Sequence, residues 1–295
     1  EINICIEMST RLFSESHSLT RSCYKKLGLL KKREKEYGEA IMIYKKCLAI
    51  ALQVSDTKEI FSLYRILGDL HSEIGQHSVA IECFKYVIEN KQKIYGEDSD
   101  TIVRDLIDLS IEYRDAKRPN EEIECLKKAI KIDKKNYGKD DIELHNLYSK
   151  LGSAYAAVNQ DDKAIKKYKK CLEMRTKKFG PNHKRILDVS HLLARSYIRT
   201  KEDYEAAKVL LNCIKIEESL KESSGEDAMD TFDDLANVYD LRKDYANAQS
   251  LMKKAVQISS LLFKKGSSTR RKVASTFFGI ERDAALGKIG DFQKI

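Results

Sequence analysis

One pattern recurs six times along the chain, and it leaves few folds open. A leucine stands at positions 27, 67, 109, 151, 193 and 235, and a small residue follows each: Gly28, Gly68, Ser110, Gly152, Ala194, Ala236. Thirteen residues after each leucine comes Ala40, Ala80, Glu122, Ala164, Ala206 or Ala248. Glu122 is the poor match, and Ala207 fits almost as well as Ala206. The copies are spaced by 40 residues once and then by 42 four times. A bulky residue lies four after the alanine slot (Tyr44, Phe84, Leu126, Tyr168, Leu210, Met252), and a small or medium one three further on (Cys47, Val87, Ala129, Cys171, Cys213, Ala255). The last four copies carry an aromatic four residues after the leucine: Tyr113, Tyr155, Tyr197 and Tyr239. Spacings of one, four and seven residues put these side chains on single faces of two helices per copy. Small residues let the two helices approach, and bulky ones fill the neighbouring grooves. One such pair cannot bury its apolar face alone, whereas a stack of pairs can. The chain is therefore expected to be all-α, and a content of only 2 prolines and 13 glycines in 295 residues agrees.

The six copies resemble the tetratricopeptide repeat (TPR), whose common unit is about 34 residues. The extra length falls between units, in YGEDSDTI (95–102), YGKDDIEL (137–144) and FGPNHKRIL (179–187). Glycine there suits a left-handed helix C-cap, and Asp or Asn the following N-cap. These links are similar to those of the kinesin light chain and nephrocystin-type class, with Lys184 where that class often carries proline. The resemblance implies a right-handed α-solenoid of helix-turn-helix repeats and a protein-interaction scaffold or adaptor. Such arrays serve cytoskeletal transport, ciliary assembly and signalling alike. One array is expected over 1–295: the second helix of a cut repeat at 1–18, repeats at about 21–60, 61–102, 103–144, 145–186, 187–228 and 229–268, and a partial seventh at 269–295. Cys5 falls 42 residues before Cys47, and Gly290-Asp291-Phe292 resembles an inter-helix turn, so both ends read as cuts in a longer protein. KESSGEDAMD (221–230) and SSTRRKVAST (267–276) read as loops.

The resemblance places a peptide-binding groove on the first helices, at positions two and five residues either side of the leucine. In the first half these include Lys25, Lys32, Arg65, Arg104 and Arg114; in the second, Asp188, His191, Arg195, Asp230, Asp233, Asn237 and Asp240. The groove reads basic, then acidic, which suits a protein or peptide partner with charged segments. Reversing charge at Arg65 and Arg104 is expected to abolish binding without lowering helicity. Lys25 occupies the lysine slot of the carboxylate clamp of chaperone cofactors, but Leu29 replaces the asparagine one turn on, which argues against chaperone tails.

Catalysis is not expected. Neither a phosphate-binding G-x-x-x-x-G-K-[ST] loop nor G-x-G-x-x-G nor H-E-x-x-H occurs, and the six histidines are scattered. No catalytic residue, metal ligand set or cofactor is read from the sequence. Seven cysteines without a C-x-x-C pair suggest neither zinc nor disulfides; the slots of Cys5, Cys47, Cys171 and Cys213 are those of small packing residues, while Cys83 and Cys125 share another. A reducing compartment, cytoplasmic or nuclear, fits. No apolar run approaches the ~20 residues that span a bilayer. The net charge of +8 arises from interleaved signs, 54 basic against 46 acidic side chains. KKYKKCLEMRTKK (166–178) reads as the solvated face of a second helix, and the Gly287-to-Gly290 G-x-x-G lacks the context of an RNA-binding loop. The alternatives are a nucleic-acid-binding basic surface and an array that self-associates through its ends.

Overall fold

The computed structural model describes residues 2–14, 17–139, 141, 143–220, 226–262, 273, 275–276 and 279–281. The described residues are helical throughout, joined by turns, with no strand among them. The first helix of each expected repeat is α2 (Ser18–Arg33), α4 (Thr57–Glu73), α6 (Val103–Asp115), α8 (Leu144–Ala157), α10 (Leu187–Arg199) and α12 (Glu226–Leu241). The second is α3 (Tyr37–Gln53), α5 (His77–Tyr95), α7 (Pro119–Tyr137), α9 (Asp161–Phe179), α11 (Asp203–Ser219) and α13 (Tyr245–Leu262). Helix α1 (Ile2–Phe13) precedes them. The chain forms two compact units, Glu1–Asp141 and Ile142–Ile295. Within each, every helix packs against its neighbours in sequence, so each unit is a stack of helix hairpins. The segments 221–225, 267–272 and 282–295, including the Gly287 and Gly290 loop and the turn expected of the partial seventh repeat, lie outside the described residues.

The recurrent residues form the core. Five of the six leucines are buried, Leu27 partly so, and every alanine-slot residue is buried, Glu122 included. The contact that sets the spacing within a hairpin is a ring laid flat on a glycine. A methyl carbon built on Gly152 would stand 2.6 Å from Tyr168 Cε1. The corresponding distances are 2.8 Å from Gly28 to Tyr44 and 2.9 Å from Gly68 to Phe84. The other three hairpins solve the same volume problem differently, pairing Ser110, Ala194 and Ala236 with Leu126, Leu210 and Met252. A missing Cβ goes with an aromatic ring, and a present one with an aliphatic chain.

Turns within hairpins close on a left-handed residue that is glycine only at Gly75; elsewhere it is Lys35, Lys117, Asn159, Lys201 or Lys243, with φ between 57° and 62°. The backbone earns this strain back in hydrogen bonds across the turn, as from Arg118 N–H to Tyr113 O at 2.7 Å. The links between repeats differ from expectation in two respects. Gly96, Gly138 and Gly180 have the expected positive φ (92°, 93°, 89°), but their ψ values of 158°, 168° and 162° carry the chain out extended. That region belongs to glycine alone, more strictly than the left-handed helical region does. The caps that follow are Ser99 and His183, not Asp or Asn, accepting from Thr101 N–H at 3.3 Å and Arg185 N–H at 3.1 Å. Each starts a 3-10 turn that buries an isoleucine, Ile102 or Ile186, ahead of the first helix.

Cys47, Cys171 and Cys213 are fully buried small packers. Burial pushes their thiols up, to about 11, about 11 and about 12 respectively. Cys5 is the exception: it is exposed, because α1 packs on α2 and nothing among the described residues covers its other side.

Two outcomes follow. Gly152→Ala lowers the stability of the second unit by about 1–2 kcal/mol, overpacking outweighing the ~1 kcal/mol gain in helix propensity. Adding Tyr168→Leu restores part of that loss, as a double-mutant cycle in urea reads directly. In the folded chain at pH 8, iodoacetamide modifies Cys5 first and leaves Cys47, Cys171 and Cys213 unmodified until the chain unfolds, as peptide mass spectrometry shows.

Candidate functional site

The solvent-facing side of the first helices follows from the repeat. With the leucine and its neighbours turned inward, positions two and five residues away are turned out. In α4 these are Ser62, Arg65 and Asp69, which line a recess of about 420 Å³ completed by Lys58, Lys91 and Tyr95. Asp69 reaches solvent at the mouth of this recess, yet the surrounding chain displaces enough water to raise its pKa, with the Lys32 charge from α2 opposing the shift. Lys58 lies nine residues before Leu67, outside the four groove positions of the repeat, and only the folded α4–α5 pair brings it to this wall.

Three of the expected groove cations, Lys25, Arg65 and Arg195, are committed to the next repeat. Lys25 of α2 pairs with Glu59 of α4 at 2.9 Å, and Arg21 joins the same carboxylate. Arg65 of α4 reaches α6, contacting Asp105 at 3.0 Å and Asp108 at 2.8 Å. Asp105 has no solvent exposure, and Lys91 approaches its other oxygen at 2.6 Å. Arg65 is thus one of two cations that compensate a buried carboxylate. Arg104 differs: its side chain is 74% exposed, and its contact is the i,i+4 pair with Asp108 at 3.1 Å. Arg114 is also exposed, beside Asp115 at 3.2 Å.

The second unit repeats the arrangement. Arg195 of α10 pairs with Asp234 of α12 at 3.3 Å, and His191 Nδ1 lies 3.7 Å from the same carboxylate. The His191 Nε2 edge meets Thr231 Oγ1 at 3.2 Å, and that hydroxyl donates to Glu217 at 2.6 Å. Asp188 is exposed and takes an ion pair from Arg175, which is itself nearly buried. His145, within 3.4 Å of Arg175, is buried and has a lowered pKa, from desolvation first and the Arg175 charge second. Asn237 and Asp240 are partly exposed. Asp233 is buried, a correction to the expected groove position, and the inter-repeat pairing of α12 runs through its neighbour Asp234, which points about 100° away around the helix. The side chain of Asp230 lies outside the described residues. The expected residues therefore do not form one cluster: Arg65 and Asp69 share the recess, and the others are spread along separate helices.

Among the described residues no group of three His, Cys, Asp or Glu side chains could hold a metal ion. Among them, too, no helix is long and apolar enough to cross a membrane.

Comparisons with known proteins agree on the repeat. Models described as tetratricopeptide repeat match residues 21–53, 106–136 and 143–215. No curated protein sequence matches the chain. Among solved structures, a kinesin light chain candidate from Podosopora anserina with nearly identical TPR-like repeats is 20% identical, with TM-score 0.61, over 68% of this chain and 96% of that one. BtubC (BKLC) from P. vanneervenii is 17% identical, with TM-score 0.63, over 81% of this chain and 96% of that one. A signal transduction ATPase from Pyrococcus horikoshii with a tetratricopeptide repeat sensor is 21% identical, with TM-score 0.69, over 88% of this chain and 39% of that one. At these identities the likeness is one of fold.

The pairing of Arg65 revises the expected effect of reversing it. Arg65→Glu sets a carboxylate against the buried Asp105 and costs ~2–4 kcal/mol, the buried-pair range reduced because Arg65 is partly exposed and Lys91 remains. Arg104→Glu costs ~1 kcal/mol or less, as exposed pairs do. Thermal unfolding of the two single variants, followed by circular dichroism, separates these outcomes.

Proposed function

We propose that this chain of tetratricopeptide repeats is a protein-interaction scaffold that takes a peptide segment along the solvent-facing side of the first helices of its first unit. The observation that supports this most is the recess over α4, where three cations, Lys58, Arg65 and Lys91, face one carboxylate, Asp69. Arg65 and Lys91 are held in place by Asp105, and Arg65 by Asp108 as well, so their charge is largely matched within the frame and the charge left to a partner is that of Lys58. Lys58 is exposed and forms no ion pair among the described residues. Arg104 adds an exposed guanidinium on α6. The segment that suits these groups carries Asp or Glu side chains, for which arginine offers paired hydrogen bonds and lysine a point charge. Partner choice then rests on charge and on main-chain contacts, and transport or ciliary roles follow only from the partner's identity.

Lys58→Glu combined with Arg104→Ala is the variant to use, since both side chains are exposed and neither touches Asp105. Acidic peptides selected on the native chain bind the double variant about tenfold more weakly by fluorescence anisotropy, a loss of ~1.4 kcal/mol, with the melting curve unchanged. Equal affinity for the native chain and the variant would sink the assignment to this face.

A further inference from the structure

The repeats supply their own internal standard for the outward side of the second helices. Eighteen residues after the leucine, five copies carry lysine: Lys45, Lys85, Lys127, Lys169 and Lys253. The remaining copy, the fifth, carries Leu211. Eleven residues after the leucine the other copies carry Gly38, Ser78, Asn120, Asp162 and Ala246, all small or polar, and the same copy carries Tyr204. Both departures lie on α11, seven residues or ~10 Å apart on one face. Both face solvent, Tyr204 at 69% and Leu211 at 42% exposure. An exposed apolar residue is ordinary when single; two on one face, where the repeat specifies polar ones, are not.

The same face lines a groove of about 610 Å³ formed by α9, α10, α11 and α12. Lys208 and Lys215 alternate with the two apolar side chains along α11, Lys169 stands on α9 and Arg242 in the turn after α12; Glu205 is the one carboxylate in the lining. Lys208, Lys215 and Arg242 form no ion pair among the described residues. The corresponding groove between α5 and α7 is charge-balanced, with Lys85, Lys127, Lys128 and Lys131 against Glu89, Glu97, Asp98 and Glu124. Unpaired positive charge and an apolar stripe therefore coincide at α11, and at one repeat.

We propose that the outward face of α11 is a second docking surface, for an acidic protein segment that places a bulky apolar side chain between Tyr204 and Leu211. Carboxylates on either side of that anchor meet Lys208 and Lys215. This surface centres on a second helix, α11, in the second unit and is distinct from the face proposed above in the first unit.

The test is a random peptide-display selection on the full chain, run in parallel on Tyr204→Asp/Leu211→Lys. The variant restores the residues of the preceding repeat, Asp162 and Lys169, so its melting curve matches that of the native chain. The expected result is a set of peptides enriched on the native chain only, with Asp or Glu flanking an aromatic residue or leucine. A synthetic peptide of the most enriched sequence binds Tyr204→Asp/Leu211→Lys and Lys208→Glu/Lys215→Glu at least about tenfold more weakly by anisotropy. It binds Lys58→Glu/Arg104→Ala unchanged, which separates this surface from the first-helix face. The proposal is overturned if no peptide distinguishes the native chain from the reversion, or if the peptides that do are not acidic. It is overturned in favour of a contact between copies if sedimentation shows self-association that the reversion abolishes. Binding of single-stranded RNA that the lysine variant loses and the reversion keeps, without any such peptide, overturns it in favour of a purely electrostatic surface.

Discussion

Everything in this chain depends on how closely two helices of a hairpin approach. At Gly28, Gly68 and Gly152 the approach is set by a ring pressed onto bare backbone. Glycine inside a helix costs ~1 kcal/mol relative to alanine, while burying an aromatic side chain returns ~1.5–3 kcal/mol, so the exchange is favourable only because the ring fills the vacated space. The other hairpins keep the Cβ and shrink the partner to Leu126, Leu210 or Met252. Because the sum of the two volumes is held, successive hairpins keep similar outlines and can stack. The alanine and cysteine slots serve the same end one turn before and one turn after the bulky residue on the second helix, where Ala164 and Cys171 are fully buried.

Stacking also decides what the charges do. A first helix that lies beside the first helix of the next repeat brings basic and acidic side chains within reach of one another. Lys25 with Glu59, Arg65 with Asp105 and Asp108, and Arg195 with Asp234 are three instances of that geometry. Exposed pairs contribute little to stability, but Asp105 has no route to solvent, and its two cations are a condition of its burial. A charged groove in such an array is therefore partly framework. The groups left to a partner are those the framework does not use, such as Lys58 and the exposed guanidinium of Arg104.

The hairpins were legible because their signal is periodic and local: each slot recurs with the same chemistry and the same helical spacing. What was not legible depends on relations between repeats or on backbone angles. Asp233 and Asp234 are adjacent acids in the sequence, and only the position of Arg195 and His191 on α10 makes one a surface partner and the other buried. Arg65 reads as a groove cation until Asp105, forty residues on, proves to be buried beneath it. Cys5 matches its slot by number but lacks a covering helix among the described residues. Four of the six within-hairpin turns put lysine in a left-handed conformation that sequence patterns assign to glycine or asparagine. The turn's hydrogen bonds hold that conformation, and no side-chain signal announces it.

A repeat protein also lets each departure be judged against its own siblings, and the direction in which the departing side chain points decides its meaning. Glu122 stands where the other copies have alanine, but it is buried near the start of α7, where the helix dipole favours a carboxylate. That departure is absorbed by the fold. Tyr204 and Leu211 depart outward, where packing gains nothing from them and water opposes them. An inward departure is answered by neighbours already present in the chain. An outward apolar one is answered only by a surface from elsewhere, which is why α11 is the place where this framework is most specifically equipped for contact.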